Sequence, residues 1–205
     1  MKDRLLDATA SACAEFGAPQ VSVQHILDAA GVTRGTFYAH FVSIQEAIAA
    51  VAQRAIDHAQ ADNLSLYQDV TDPLFRIAVG PQLNLCRAAL QPAWARIIIE
   101  SRDLLYRSIF VRAIRQDVIT NIRQKNFDRI DVQSAVDLHI GAMIQGARTM
   151  QRRKYNKLLY IQSVTINLLR AFGLPRVKAQ EIVQFASADL NARAPLMFDW
   201  WDTLD

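Results

Sequence analysis

Cysteine is nearly absent from this 205-residue chain: Cys13 and Cys86 are its only two, far apart and without a metal-ligand spacing. A disulfide scaffold is not needed, and buried free thiols in a reducing compartment fit the pattern. Glycine and proline are scarce as well, at 7 and 6 residues, which points to a folded, helical protein and away from a disordered one. No run of about 18 uncharged apolar residues occurs, so no membrane-spanning helix is expected. The start MKDRLLDATA alternates charge with leucine where a signal peptide would build an apolar core. The expected location is therefore the cytoplasm. Strand signals are almost missing. So are a phosphate-binding glycine loop, an HExxH pair and a nucleophile elbow, and the four histidines at 25, 40, 58 and 139 are scattered. Catalysis, a cofactor and a metal site are not expected.

What is present is hydrophobic and helical. Apolar residues make up 51% and charged residues 21%, with a net charge of +3, an excess that permits a polyanionic partner without requiring one. Leu5, Ala8, Ala12 and Phe16 recur at helical spacing before Gly17, Ala18 and Pro19 stop the helix. Ser22 then caps a second helix, with Val21 and Ile26 forming a hydrophobic staple, and that helix ends at Gly31. Thr33 caps a third over Arg34 to His40, with Val32 and Phe37 as its staple. Ser43 and Glu46 form a capping box for a fourth helix from Ile44 to about Gln60.

Two short helices about a glycine turn are the sequence form of a helix-turn-helix, in which the second helix enters the DNA major groove. Phe37 and Phe41 share the inward face, while Arg34, Thr36, Tyr38 and His40 fall outward and Gly35 leaves the backbone open to a partner. Arginine suits bidentate contact with guanine, threonine can touch a thymine methyl, and Tyr38 and His40 can donate to phosphates. Few ion pairs support this. Within residues 1–50, Lys2, Arg4 and Arg34 stand against Asp3, Asp7, Glu15, Asp28 and Glu46, a net charge of −2. The capped helix starts supply backbone amides as additional anion sites, and the salt dependence should be shallow for a DNA reader.

These residues resemble the TetR family of bacterial transcriptional regulators: LLDATA at 5–10, Gly17, VSVQHILDAAGV at 21–32, TRGTFYAHF at 33–41 and SIQEAI at 43–48. The match covers roughly the first quarter of the chain. Two positions depart from it, Ile44 standing where the family usually has a phosphate-contacting lysine and Ala18 where it has an aromatic. The resemblance implies that Ser22, Gln24, Thr33, Arg34, Thr36, Tyr38 and His40 lie at the DNA surface, joined by Gly35 from the helical reading. It also implies a homodimer on a double-stranded, palindromic operator, acting as a repressor that a small-molecule inducer releases.

The rest of the chain would then supply the dimer surface and the ligand chamber. The expected architecture is all-α. A three-helix DNA-binding module over 1–48 precedes a larger helical ligand-binding and dimerisation domain over 49–205, with about nine or ten helices in all. Prolines at 73, 81 and 92 are placed to begin short helices. A long helix is expected over 103–125, and a last one over 177–191 before a tail whose Trp200 and Trp201 need a surface to cover. Asp131 caps the first of two apolar-striped helices, 132–153 and 157–172, the candidates for dimerisation. Gly141, Ala142, Gly146 and Ala147 on the first would allow close approach. Candidate ligand contacts are Trp94, Ile98, Arg102, Tyr106, Phe110, His139 and Met143. Asn84 and Gln145 join Arg102 and His139 as polar residues on apolar helices. The basic run RTMQRRKYNK at 148–157 reads as a helix end and connector. The alternative to the whole is a helical small-molecule-binding protein without a DNA role.

Overall fold

In a computed structural model, residues 1–152 and 156–204 are described, with the side chains of Arg102 and Arg152 outside the description. Among these residues there are eleven α-helices, a short 3-10 turn at Ala18–Gln20 and no strand. The first four helices are α1 (Lys2–Phe16), α2 (Val23–Ala30), α3 (Arg34–Tyr38) and α4 (Ile44–Tyr67). They are followed by α5 (Pro73–Leu90), α6 (Pro92–Glu100), α7 (Arg102–Arg107) and α8 (Ile109–Arg123). The chain closes with α9 (Val132–Arg152), α10 (Lys157–Ala171) and α11 (Arg176–Met197).

Five boundaries differ from those the sequence suggests. Helix α3 stops at Tyr38, so His40 lies in the turn beyond it. Helix α4 continues to Tyr67 because nothing breaks it at Gln60 and its later turns bury Asn63 and Leu66. The 103–125 stretch splits at Ser108, whose extended backbone (φ −73°, ψ 159°) ends α7 while its hydroxyl donates to the Leu105 carbonyl at 2.6 Å. That split raises the helix count. Helix α11 carries on through Pro195 to Met197. Pro73 and Pro92 open helices, but Pro81 sits inside α5. A proline there forfeits an i→i−4 hydrogen bond, and burial of nearly the whole of α5 from Phe75 to Ala88 outweighs that loss.

Two cores result. Leu5, Ile26, Phe37, Phe41 and Ala47 form the first, against which Ile44 packs. The second surrounds α5, which is buried on nearly all sides and is packed by α8, α9, α10 and α11. Helix α4 runs from one core into the other, with Val51 in the first and Ala55 and Ile56 in the second. The boundary expected at residue 48 thus falls within a continuous helix. In the basic run, Arg148 lies on α9 and Lys157 opens α10, whereas Arg153 and Lys154 lie outside the described residues.

The α4–α5 contact depends on Gly80, where an added Cβ would collide with the Tyr67 hydroxyl. That hydroxyl lies 3.2 Å from both the Asn63 side-chain oxygen and the Arg76 carbonyl, so it has little freedom to move. Gly80→Ala is expected to destabilise the fold by about 1–3 kcal/mol, the range for overpacking. A chemical-denaturation midpoint within error of the unaltered protein would show that Tyr67 yields freely.

Candidate nucleic-acid interface and ligand cavity

Local hydrogen bonds build the N-terminal interface. At the start of α2, Ser22 Oγ accepts from the His25 amide at 3.2 Å, and His25 Nδ1 accepts from the Ser22 amide at 3.3 Å. This is a capping box with histidine in the position usual for glutamate or glutamine. The His25 ring also stacks on Phe16, centroids 4.2 Å apart. Gly31 then turns the chain in the left-handed region at φ 61°, a conformation that glycine adopts without strain. Thr33 caps α3, its Oγ1 accepting from the Thr36 amide at 3.3 Å and lying 3.0 Å from the Thr36 hydroxyl.

Fully buried Phe37 and Phe41 anchor α3 and so fix which face it shows. Gln24, Thr33, Arg34, Gly35, Tyr38 and His40 are exposed, Tyr38 by 49%, while Ser22 and Thr36 are half-buried. Gln24 is bonded to Asp28 at 2.7 Å. At Gly35 an added Cβ would meet only Thr33 Oγ1, at an ordinary 3.8 Å. The fold itself therefore does not demand glycine at that position. Glu46 departs from the expected box: its amide donates to Ser43 Oγ at 3.1 Å, but its carboxylate accepts from the Val42 amide at 2.6 Å, one residue further back.

Three other residues belong to this surface. Val42 is 82% exposed; it precedes the cap of α4, and its would-be staple partner is only Ala47. Lys2 and Arg4 come from the start of α1. Lys2 Nζ lies 5.7 Å from the Phe41 ring centroid, and Arg4 Nη2 would be 3.1 Å from a Cβ at Gly31. In the sequence they register only as charge, because their approach to the turn is tertiary.

Behind this module, α4, α5, α8 and α9 line a cavity of about 360 Å³ that is partly open to solvent, bordered among others by Tyr67, Pro81, Ile109, Phe110, Ile114 and His139. A smaller void of about 40 Å³ shares Phe110 with it and touches Trp94, Ile98 and Met143. Five of the seven candidate ligand contacts therefore line connected or adjacent space. Tyr106 does not: it is 40% exposed on α7 and lines neither void. The Arg102 side chain lies outside the described residues. Gln145 is exposed, and Asn84 borders the smaller void. His139 is 2% exposed, and its Nδ1 has no hydrogen-bond partner. Burial pushes the imidazole pKa down to about 4, leaving it neutral near pH 7. On the same wall Arg76 and Asp117 pair, with Nε to Oδ1 at 3.0 Å and Nη2 to Oδ1 at 2.5 Å. Neither was marked by a local pattern, since 41 positions separate them.

Residues 5–51 match the family model of the bacterial regulatory proteins, tetR family. Over that stretch the chain is similar to the tetR family. No curated protein matches the chain. Solved structures extend the likeness to the whole fold. RolR in complex with resorcinol is 20% identical, with a TM-score of 0.69 over 89% of this chain and 92% of that one. FadR from Bacillus halodurans, a fatty acid degradation regulator, is 20% identical, with a TM-score of 0.70 over 82% and 94%. AibR in complex with isovaleryl coenzyme A and operator DNA is 14% identical, with a TM-score of 0.68 over 79% and 94%.

The N-terminal module is fastened to the second core by α6 as well as by α4. Ile97 packs against both cores. The Ala18 amide donates to Glu100 at 3.2 Å, and the Arg96 guanidinium donates to the Ala14 carbonyl. On its other face α6 presents Trp94 and Ile98 to the smaller void, and Trp94 Nε1 donates to the Ala55 carbonyl of α4 at 3.2 Å. Among the described residues no cluster of His, Cys, Asp and Glu has the form of a metal site, and no helix is long and apolar enough to cross a membrane.

Proposed function

We propose that this protein is a cytoplasmic, ligand-responsive repressor of the tetR family, without enzymatic activity, that binds a palindromic operator as a homodimer and is released when a small molecule fills the cavity beside α4. The observation that carries the DNA role is α3, a short capped helix whose inner face is locked by buried Phe37 while Arg34, Gly35 and Tyr38 are presented outward. In this reading Arg34 contacts a base edge, and Thr33, Tyr38 and His40 contact phosphates or bases with Ser22, Gln24 and Thr36. The DNA-binding unit is residues 1–48, and the ligand-binding and dimerisation unit is residues 49–205.

The dimer is assigned to α9 and α10. Leu138 and Leu159 are 47% and 60% exposed there, and Gly141 has open space where a Cβ would be. Gly146 and Ala147 instead face inward, Gly146 against Leu85 of α5, which leaves Gly141 and Ala142 as the small outward positions. Coupling runs through α4 and α6: a ligand that fits one position of these helices better shifts the recognition-helix spacing. AibR with operator DNA and RolR with resorcinol are neighbours of the same fold with partners of the two kinds proposed.

Selection of bound sequences from random duplex DNA tests the proposal. The unaltered protein is expected to enrich a palindrome with half-sites about 34 Å apart or a multiple of that. Arg34→Ala is expected to lose about 1–3 kcal/mol of affinity and to relax specificity at one position. Retained small-molecule binding with no enriched sequence, in the presence or absence of ligand, would favour a binding protein without a DNA role.

A further inference from the structure

Resting on the reading of the α4, α5, α8 and α9 cavity as the effector site, we infer that its ligand is a monocarboxylate with a compact apolar body, the body filling the cavity and the carboxylate meeting Arg112 at the mouth. Interior and mouth differ in kind. Pro81, Ile114 and His139 are buried lining residues, whereas Leu64 of α4 and Ile109, Arg112 and Ala113 of α8 are exposed ones. The opening therefore lies between α4 and α8. The surface turned to the cavity is mostly apolar, so the body of the ligand must be apolar as well. With a water's share of liquid volume near 30 Å³ as a scale, about 360 Å³ admits about a dozen non-hydrogen atoms.

Two features of the rim point to the ligand. Leu64 and Ile109 are 61% and 55% exposed, leaving apolar side chains open on both sides of the mouth, where an entering apolar body would cover them. Arg112 adds a charge to the same rim. It is exposed and has no hydrogen bond or ion pair among the described residues.

The other charges of the lining are already matched. Arg76 donates to Asp117 from Nε at 3.0 Å and to the Val70 carbonyl from Nη1 at 3.1 Å, and burial keeps the His139 ring neutral near pH 7. Two guanidiniums thus stand against one carboxylate, and the unmatched charge is that of Arg112. A cationic ligand would be repelled by it, and a neutral one would leave it unused. A carboxylate fits the planar guanidinium fork with two parallel hydrogen bonds. Held at the rim, the carboxylate keeps its contact with water and avoids the cost of carrying a charge into the apolar interior. The apolar body supplies most of the affinity, and Arg112 sets which end of the ligand enters.

Three probes that share one apolar body and differ in head-group charge test this by calorimetric titration of the full-length protein at pH 7: octanoate, 1-octanol and octylammonium. Octanoate is expected to bind about fivefold more tightly than octanol, the upper end for an ion pair in contact with solvent, and octylammonium more weakly than either. Raising the salt from about 50 mM to about 500 mM should narrow the gap between octanoate and octanol through screening. Arg112→Gln should bring octanoate to the affinity of octanol and leave octanol unchanged. Arg112→Glu should reverse the order, so that octylammonium binds most tightly. Because Arg112 is exposed, both variants should keep the thermal unfolding midpoint of the unaltered protein. Equal binding of octanoate and octanol would overturn the inference by showing that Arg112 serves only the solvent. Preference of the unaltered protein for octylammonium would overturn it in favour of a cation site at Asp117. An octanoate preference that survives Arg112→Glu would overturn it by placing the carboxylate elsewhere, and binding of none of the three would remove the ligand class. The two readings fail separately. An enriched palindrome with no octanoate binding sinks the ligand class alone, and octanoate binding without an enriched palindrome sinks the regulator alone.

Discussion

Arg87→Ala is expected to lower the unfolding free energy by about 3 kcal/mol, the lower part of the range for stripping one partner from a buried ion pair. Arg87 is buried on α5, and its Nη1 donates to Asp62 of α4 at 2.6 Å. Its Nε donates to Gln91 at 3.1 Å, at the joint between α5 and α6. The guanidinium lies 4.7 Å from the Trp94 ring and 5.2 Å from the Trp200 ring, and Trp200 Nε1 donates to the same Asp62 oxygen at 3.0 Å. Burial raises the Asp62 pKa and lowers that of Arg87, each partly offset by the other. Removing the cation leaves that carboxylate with only an indole N–H. It also opens a space between two tryptophans. Arg87→Lys keeps the charge but not the planar fork or the stacking, so it should recover only part of the loss. Urea unfolding followed by tryptophan emission measures all three. A change under about 1 kcal/mol for Arg87→Ala would mean that the pair behaves as a solvated surface contact.

The same cluster shows which parts of the molecule can be read in the sequence. Helix starts are short-range events, and Ser22, Thr33, Ser43 and Asp131 each cap as their local pattern suggests. The inward and outward faces of α3 follow equally from the spacing of Phe37 and Phe41. The Arg87 cluster, in contrast, joins positions 62, 87, 94 and 200. No periodicity links them, and the tail's need for a surface was visible while the surface itself was not. The break at Ser108 carries no glycine or proline to announce it. Pro81 does announce a break, and tertiary burial overrides it. At the cavity, His139 stood out as a polar residue on an apolar stripe, but Arg76, Asp117 and Tyr67 look like ordinary helix residues until α4, α5 and α8 are brought together.

Acidification is expected to weaken the fold on the order of 3 kcal/mol through His139 alone. In the folded chain the ring takes a proton only near pH 4, against the ordinary 6.5, and each unit of difference is worth about 1.4 kcal/mol. Between those values the unfolded chain binds the proton and the folded chain does not, so stability is lost as pH falls from about 6.5 to about 4. Asp62 and Asp117 act in the opposite sense. Burial raises their folded pKa values, so their contribution is present at low pH and lost as pH rises through those values. They are common to the unaltered protein and to His139→Leu, and comparing the two isolates the histidine. Chemical denaturation of both at pH 7 and pH 4.5 should show the variant losing less stability on acidification. Parallel loss in the two proteins would mean that the His139 ring accepts a proton inside the fold, and the cavity wall would then be polar enough to hold an ion.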